Sequence, residues 1–264
     1  MNADSGSLAV HVKRSAGTIK SIGLLLCTVM TASLLAAEKP FPGDRIHGPG
    51  GEVVVHPIFH ATFALKWKDT VVYNDPVGGA GRFGDLPKPD IVLLTDIHSD
   101  HFDVATLRAV LTTNAAIVCP PAVAARLPAE LKNQTTVLTN GQTGDVRGLK
   151  IEAVAAYNLT PERLVYHEKG RGNGYVLNMG GLRVYISGDT EPIPEMLALK
   201  EIDVAFLCMN LPYTMDVAQA ARAVREFKPK IVYPYHCRGT DLEQFKQLVG
   251  TDLNIDVRIR NWYP

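Results

Sequence analysis

The run Thr95-Asp96-Ile97-His98-Ser99-Asp100-His101 packs four metal-binding side chains, Asp96, His98, Asp100 and His101, directly after the apolar stretch 91–94. On a chain leaving a strand, residues two apart point to the same side, so Asp96, His98 and Asp100 converge, and His101 follows at the bend before Asp103. Imidazole and carboxylate donors at the end of a buried strand have the composition of a divalent-metal site. A polar solvated turn can hold the same residue types, but it does not account for the buried strand in front of them. Two more apolar strand ends carry matching groups: residues 184–187 run into Gly188-Asp189-Thr190, and residues 231–235 run into His236. Singly, an Asp or His at a strand end is common; three such ends point to one metal centre. Divalent ions there lower the pKa of a shared water and polarise a carbonyl or phosphoryl oxygen, which is hydrolytic chemistry. Asp100 can both bind metal and orient the nucleophile. His60, His167 and Tyr213 are candidates to stabilise an oxyanion or protonate a leaving group. His60, beside Phe59, also reads as a packed or rim histidine, and Tyr213 as a loop contact to substrate.

These groups need strands to carry them. β-Branched and aromatic content predicts strands over 53–59, 61–67, 71–74, 91–94, 117–119, 149–154, 175–177, 182–187, 204–208 and 231–234. Helical periodicity falls at 104–111, with Asp103 as N-cap, and at 217–227 and 242–249. Hairpins first, then strands alternating with helices, predict α/β sheet layers flanked by helices. No 20–50-residue repeat and no linker divides residues 38–264, so one domain is expected there. Gly79-Ala80-Gly81-Arg82-Phe83-Gly84 spells a dinucleotide fingerprint, but Pro87 and Pro89 prevent the helix it requires, which leaves a flexible loop near the metal edge. Ser187-Gly188 lacks the context of a nucleophile elbow, and Cys237 beside His236 reads as packing rather than as a reactive thiol.

In this order, the Asp-x-His-x-Asp-His run, Ser187-Gly188-Asp189-Thr190 and Pro234-Tyr235-His236 resemble the metallo-β-lactamase superfamily of metal-dependent hydrolases, over about residues 52–240. Asn74-Asp75-Pro76, Leu86-Pro87-Lys88-Pro89-Asp90, Ala156-Tyr157-Asn158 and His167 with residues 170–175 resemble its branch containing the ascorbate-phosphate lactonases. The resemblance implies a four-layer αββα sandwich with two divalent ions, zinc or manganese, at one edge between the sheets. It also implies a metal-bound hydroxide acting on a small ester, lactone, amide or phosphoester. Carried over, Asp100, His101 and His236 would hold one ion, Asp189 would bridge, and His98 would belong to the other. Two positions depart from the pattern. The family motif begins with His where this chain has Asp96, and a family His after the middle strand is replaced within Ala155-Ala156-Tyr157-Asn158. That ion keeps His98, Asp189 and Asp96, with Asp96 either a ligand or the partner that orients a ligating His. His167 can fold back to replace the missing imidazole, or serve as a surface or substrate contact. A catalytically weak metal- or ligand-binding relative, or a phosphodiesterase, are the alternatives.

The chain balances 27 Lys+Arg against 27 Asp+Glu, which argues against a basic footprint for nucleic acid and for a small-molecule substrate. Hydrophobic residues make up 46%, enough for a large core rather than disorder. Lys13, Arg14 and Lys20 precede an uncharged run, 21–37, that closes in Leu35-Ala36-Ala37 before Glu38-Lys39-Pro40. This pattern predicts a signal peptide over 1–37, a periplasmic or secreted product and no stable membrane span after processing; an uncleaved N-terminal anchor is the alternative. Leu24-Leu25-Leu26 before Cys27 lacks the small residue of a lipoprotein signal. Cys119, Cys208 and Cys237 remain, an odd number that leaves at least one free thiol in an oxidising compartment; Cys119 and Cys208 lie in apolar runs as core thiols.

Overall fold

Strands β1 (Asp44–Gly48), β2 (Gly51–Phe59), β3 (Thr62–Trp67) and β4 (Thr70–Asn74) pair as an antiparallel meander. Three strands extend it in parallel, β5 (Ile91–Leu93), β6 (Ala116–Cys119) and β7 (Thr135–Val137). The second sheet has the same plan. Its meander is β8 (Thr143–Val146), β9 (Leu149–Ala156), β10 (Gly172–Met179) and β11 (Leu182–Ile186). Its parallel strands are β12 (Val204–Cys208), β13 (Ile231–Tyr235) and β14 (Asp256–Val257). Each sheet holds seven strands in sequence order, so the molecule repeats in topology with a period of half the domain. The computed structural model describes residues 9–11, 13 and 40–264, and residues 40–264 form one unit. Residues 21–37 and Cys27, which carry the signal-peptide reading, lie outside the described residues.

Parallel neighbours need crossover connections, and helices supply them. In the first sheet these are α1 (Val104–Val110), α2 (Pro121–Ala124) and α3 (Ala129–Lys132); in the second, α4 (Pro194–Leu197), α5 (Val217–Phe227) and α6 (Leu242–Val249). Asp103 caps α1 by accepting from the Ala105 N–H at 2.9 Å, and Asp216 and Asp241 cap α5 and α6 in the same way.

Period-two alternation sorts the first sheet's side chains into two layers. Phe63, Leu65, Val72, Ile91 and Leu93 join Ile151, Tyr175, Leu177 and Phe206 of the second sheet in one buried core. The Phe63 and Phe206 rings stack at 4.1 Å across it. Ala64, Tyr73, Val92, Leu94 and Ile117 point the other way, onto Leu107 and Val110 of α1. The result is a four-layer αββα sandwich. The fingerprint-like loop holds a single 3-10 turn, Ala80–Phe83, and it is anchored rather than loose: the buried Phe83 ring stacks on Tyr73 at 4.9 Å. Among the described residues no helix is long and apolar enough to cross a membrane.

Candidate metal centre

Residues that follow the carboxyl ends of β4, β5, β11 and β13 meet at one edge of the sandwich, where open α/β sheets bind ligands. Asp189 Oδ2 lies 3.3 Å from His101 Nε2, 3.3 Å from His236 Nε2 and 3.2 Å from His167 Nε2. Asp100 Oδ2 stands 3.3 Å from His236 Nε2 and 3.8 Å from His101 Nε2. Donors on a tetrahedral ion with bonds of roughly 2.1 Å stand about 3.4 Å apart, so these separations match the edges of one coordination shell. Gly188 makes the approach of Asp189 possible: its φ is +61°, and a Cβ there would stand 2.7 Å from the Asn173 carbonyl oxygen.

The ring nitrogens of His101 are assigned by their partners. Nδ1 lies 2.8 Å from Asp75 Oδ2, so it carries the proton and Nε2 presents its lone pair to the site. Asp75 is fully buried; its carboxylate also accepts from the Thr95 N–H at 2.8 Å, the Thr95 hydroxyl at 2.6 Å and Asn74 Nδ2 at 3.1 Å. His60, Asp75 and His236 all hold positive φ, at 55°, 41° and 45°, a backbone region that non-glycine residues occupy mainly where the surroundings enforce it. His60 packs its ring 3.8 Å from that of His236. Its Nε2 reaches Asp100 Oδ2 at 3.2 Å and its Nδ1 the Tyr263 hydroxyl at 2.8 Å. His60 is thus packed and also faces the site.

His167 does fold back. Its Nδ1 donates to the Tyr213 carbonyl at 3.2 Å, which leaves Nε2 aimed at Asp189. Asn158, within the stretch 155–158 that lacks the imidazole the resemblance implies, donates to the same Tyr213 carbonyl at 2.7 Å and to the Arg163 carbonyl at 2.9 Å. It shapes the loop rather than facing the site. Asp96 is buried and paired: Arg171 Nε lies 3.2 Å from Oδ1 and Arg171 Nη2 3.1 Å from Oδ2, while His98 Nδ1 stands 2.9 Å from Oδ2. The carboxylate thus contacts both the Arg171 guanidinium and the His98 ring.

Electrostatics and orphaned atoms test whether these residues suit a cation. Burial pulls the His101 pKa down, but the Asp189 and Asp75 carboxylates outweigh it and hold the group well above an ordinary imidazole. Burial pushes Asp189 up, yet His236 and His101 bring it well below an ordinary carboxylate. For Asp100, too, hydrogen bonds from His236 and His60 overcome burial and lower the pKa. A pocket this negative favours a proton on His101 Nε2 when no cation is bound, and a cation can take that proton's place on the lone pair. His101 Nε2, His167 Nε2 and Asp189 Oδ1 are buried without a hydrogen-bond partner. Buried polar atoms are seldom left so, and bound cations would satisfy them: His101 and Asp189 cluster with His236, and His167 clusters separately with Asp96 and His98. The donor set fits.

The matched sequence family agrees with this geometry. A beta-lactamase superfamily domain model matches residues 55–236, which takes in every donor named above. The chain belongs to that superfamily. It is 33% identical over 203 residues to a UPF0173 metal-dependent hydrolase of Thermococcus onnurineus, covering 72% of this chain and 89% of that one. A crystal structure of a candidate metal-dependent hydrolase from Parabacteroides distasonis superimposes with a TM-score of 0.76 and 42% identity, over 84% of this chain and 99% of that one. Igni18, a metallo hydrolase of Ignicoccus hospitalis, shares the fold at a TM-score of 0.64 and 24% identity, over 79% and 94% of the two chains.

Above the donors opens a cleft of about 600 Å³, lined by Phe59, His60, His98, Asp100, Tyr166 and Tyr213 among others. That volume suits a small molecule. Tyr213 is 44% exposed on the rim and meets the Tyr166 ring edge-on at 5.0 Å. Sequence reasoning missed the roles of Asp75, Arg171 and Tyr263. Asp75 carried the signal used for Asp189, a carboxylate just past an apolar strand. Arg171 and Tyr263 carried none, because their partners lie 75 and 203 residues away.

Proposed function

We propose that the chain is a metal-dependent hydrolase that takes a small molecule with a carbonyl or phosphoryl centre, such as an ester, lactone, amide or phosphoester, into the cleft above Asp100 and Asp189. The observation that carries this reading is the buried, unpartnered Nε2 of His101, whose other nitrogen is committed to Asp75. Asp100, His101, Asp189 and His236 would hold a divalent cation, with His98 and His167 on its far side. When bound, the ion supplies Lewis acidity and a lowered pKa for water. Imidazole and carboxylate donors suit zinc or manganese, and the carboxylate share favours manganese. Asp100, at 44% side-chain exposure, is the ligand-set carboxylate open to the cleft and orients the attacking group. His60 holds Asp100 in place, and the Tyr263 hydroxyl, accepting from the Cys237 N–H at 3.0 Å, holds His60. Burial lowers the His60 pKa, so its ring is neutral near pH 7 and can donate from Nε2. The Tyr213 hydroxyl at the rim orients the substrate.

The balanced charge favours a small substrate over nucleic acid, and residues 1–37 would direct export, with a periplasmic or secreted product. Elemental analysis of the purified chain, together with a panel of lactone, ester, amide and phosphodiester substrates, tests the central reading. Bound metal with turnover on one class supports it. Full metal occupancy in the His101→Ala/His236→Ala double variant sinks the ligand set, and bound metal without turnover on any class leaves a binding protein. N-terminal sequencing of the native protein tests export: a start near Glu38 is expected, and an intact Met1 removes the claim.

A further inference from the structure

The two halves of the donor cluster are not equivalent. On one side, His101 Nε2 and Asp189 Oδ1 have no hydrogen-bond partner. On the other, His167 Nε2 is likewise unpartnered, but the Asp96 and His98 atoms that would face a second cation are already engaged. Both oxygens of Asp96 accept from Arg171, Oδ1 from Nε at 3.2 Å and Oδ2 from Nη2 at 3.1 Å. The same Nη2 lies 3.4 Å from His98 Nε2, the lone pair left free once His98 Nδ1 is committed to Asp96. It also donates to the Tyr166 carbonyl, which anchors the guanidinium from the loop side. Arg171 thus stands among Asp96, His98 and His167, the side chains that would otherwise share an ion.

A guanidinium in bidentate contact with a buried carboxylate is the strongest common form of ion pair, and it keeps its charge at every accessible pH. A divalent cation at Asp96 would compete with it for one carboxylate and be repelled by its charge. Either alone satisfies Asp96; both together overload it. This accounts in one step for Asp96 standing where the family pattern has His, because an imidazole offers no fork for a guanidinium.

We infer that Arg171 takes the place of a second metal ion. The chain holds one tightly bound divalent cation, on Asp100, His101, Asp189 and His236, and the guanidinium supplies the fixed positive charge on the opposite side of the cleft. The inference rests on the proposed metal-dependent function but is separable from it, because it concerns the number of ions.

The test is a calorimetric titration of metal-free full-length protein with manganese or zinc chloride, with elemental analysis of the product after desalting. Wild type is expected to saturate at one ion per chain. Arg171→Lys, which keeps the charge, is expected to stay at one. Arg171→Met and Arg171→Met/Asp96→His, which remove the charge and then restore the imidazole, are expected to take up a second ion. Two ions of comparable affinity in wild type would overturn the inference while leaving the hydrolase reading intact. A double variant that folds by circular dichroism and still stops at one ion would also overturn it. Wild type that binds no ion would instead end the functional reading on which the inference stands.

Discussion

Asp75 fixes the ring of His101 in the orientation a ligand would need. The carboxylate holds the Nδ1 proton, Thr95 holds the carboxylate through two hydrogen bonds, and all three are fully buried. Partners of this kind set the tautomer and orientation of a ligating imidazole, and their loss typically costs about 10–100-fold in affinity or activity. Asp75→Asn is therefore expected to weaken cation binding by roughly that factor in a calorimetric titration, although residue 75 would not touch the ion. Unchanged affinity would mean that the backbone alone orients His101. His167 offers the complementary case, since its Nε2 is only 3.2 Å from Asp189 Oδ2 and 3.6 Å from Asp96 Oδ2. His167→Ala should lower turnover and leave the affinity for the single cation nearly unchanged; a matching fall in cation affinity would make His167 a ligand.

His167 reaches the centre because the connection between β9 and β10 is pinned from outside. Glu191, buried two residues past Asp189, accepts from the backbone of Leu159 and Thr160 at 2.6 Å each, from the Thr160 hydroxyl at 2.7 Å and from Arg163 Nη1 at 2.7 Å. Arg163 Nη1 also donates to the Thr214 carbonyl and to Gln219 Oε1, both at 3.0 Å, which ties this loop to the one that carries Tyr213. Removing one partner of a buried pair typically costs about 3–5 kcal/mol; Arg163 can still reach water, so we expect about 2–3 kcal/mol for Glu191→Ala, read as a lowered urea midpoint. No loss would show that the loop holds its shape without the pin. None of this pinning is legible in the sequence, because Thr160, Arg163 and Glu191 have the look of ordinary loop polars until the chain closes on itself. What the sequence does disclose are the interior elements. The strands at 204–208 and 231–234 and the helices at 217–227 and 242–249 follow from apolar pattern alone, because both faces or one whole stripe of each is buried. β1, β7, β8 and β14 escaped notice because they are short sheet-edge strands with polar residues such as Asp44, Thr135, Asp145 and Asp256, whose pairing is set by their neighbours rather than by their own composition. The donors Asp96, His98, Asp100, His101, Asp189 and His236 were legible for the same reason as the central strands: each sits one to eight residues past an apolar strand, whereas His167 lies in the long connection after β9.

Across the whole molecule, the cysteines connect the core to the question of compartment. Cys119, Cys208 and Cys237 are all free and all buried. Burial pushes each thiol up to about 12, so at pH 8 roughly one in ten thousand would be the reactive thiolate. An exported chain can carry an odd number of cysteines without harm if the fold itself shields them. The sign of the pH effect follows from the same burial. In the unfolded chain these thiols ionise near pH 8.5, whereas in the folded protein they stay neutral until about 12, so stability is full below about pH 8.5 and falls as pH rises through that window. A thermal unfolding midpoint that declines above pH 9, and declines less when the three are replaced by alanine or serine at sites that tolerate it, is the expected behaviour. The same groups count the N-terminus. A disulfide-exchange reagent such as dithionitrobenzoate should label almost nothing in the native protein at pH 8. In denaturant it should label three thiols per chain if residues 1–37 have been removed and four if Cys27 is still attached. Rapid labelling of the native protein would place at least one thiol in an open wall, Cys237 beside His236 being the first to examine. Four thiols in denaturant, measured on protein isolated from outside the cytoplasm, would replace the cleaved signal peptide with a retained N-terminal anchor.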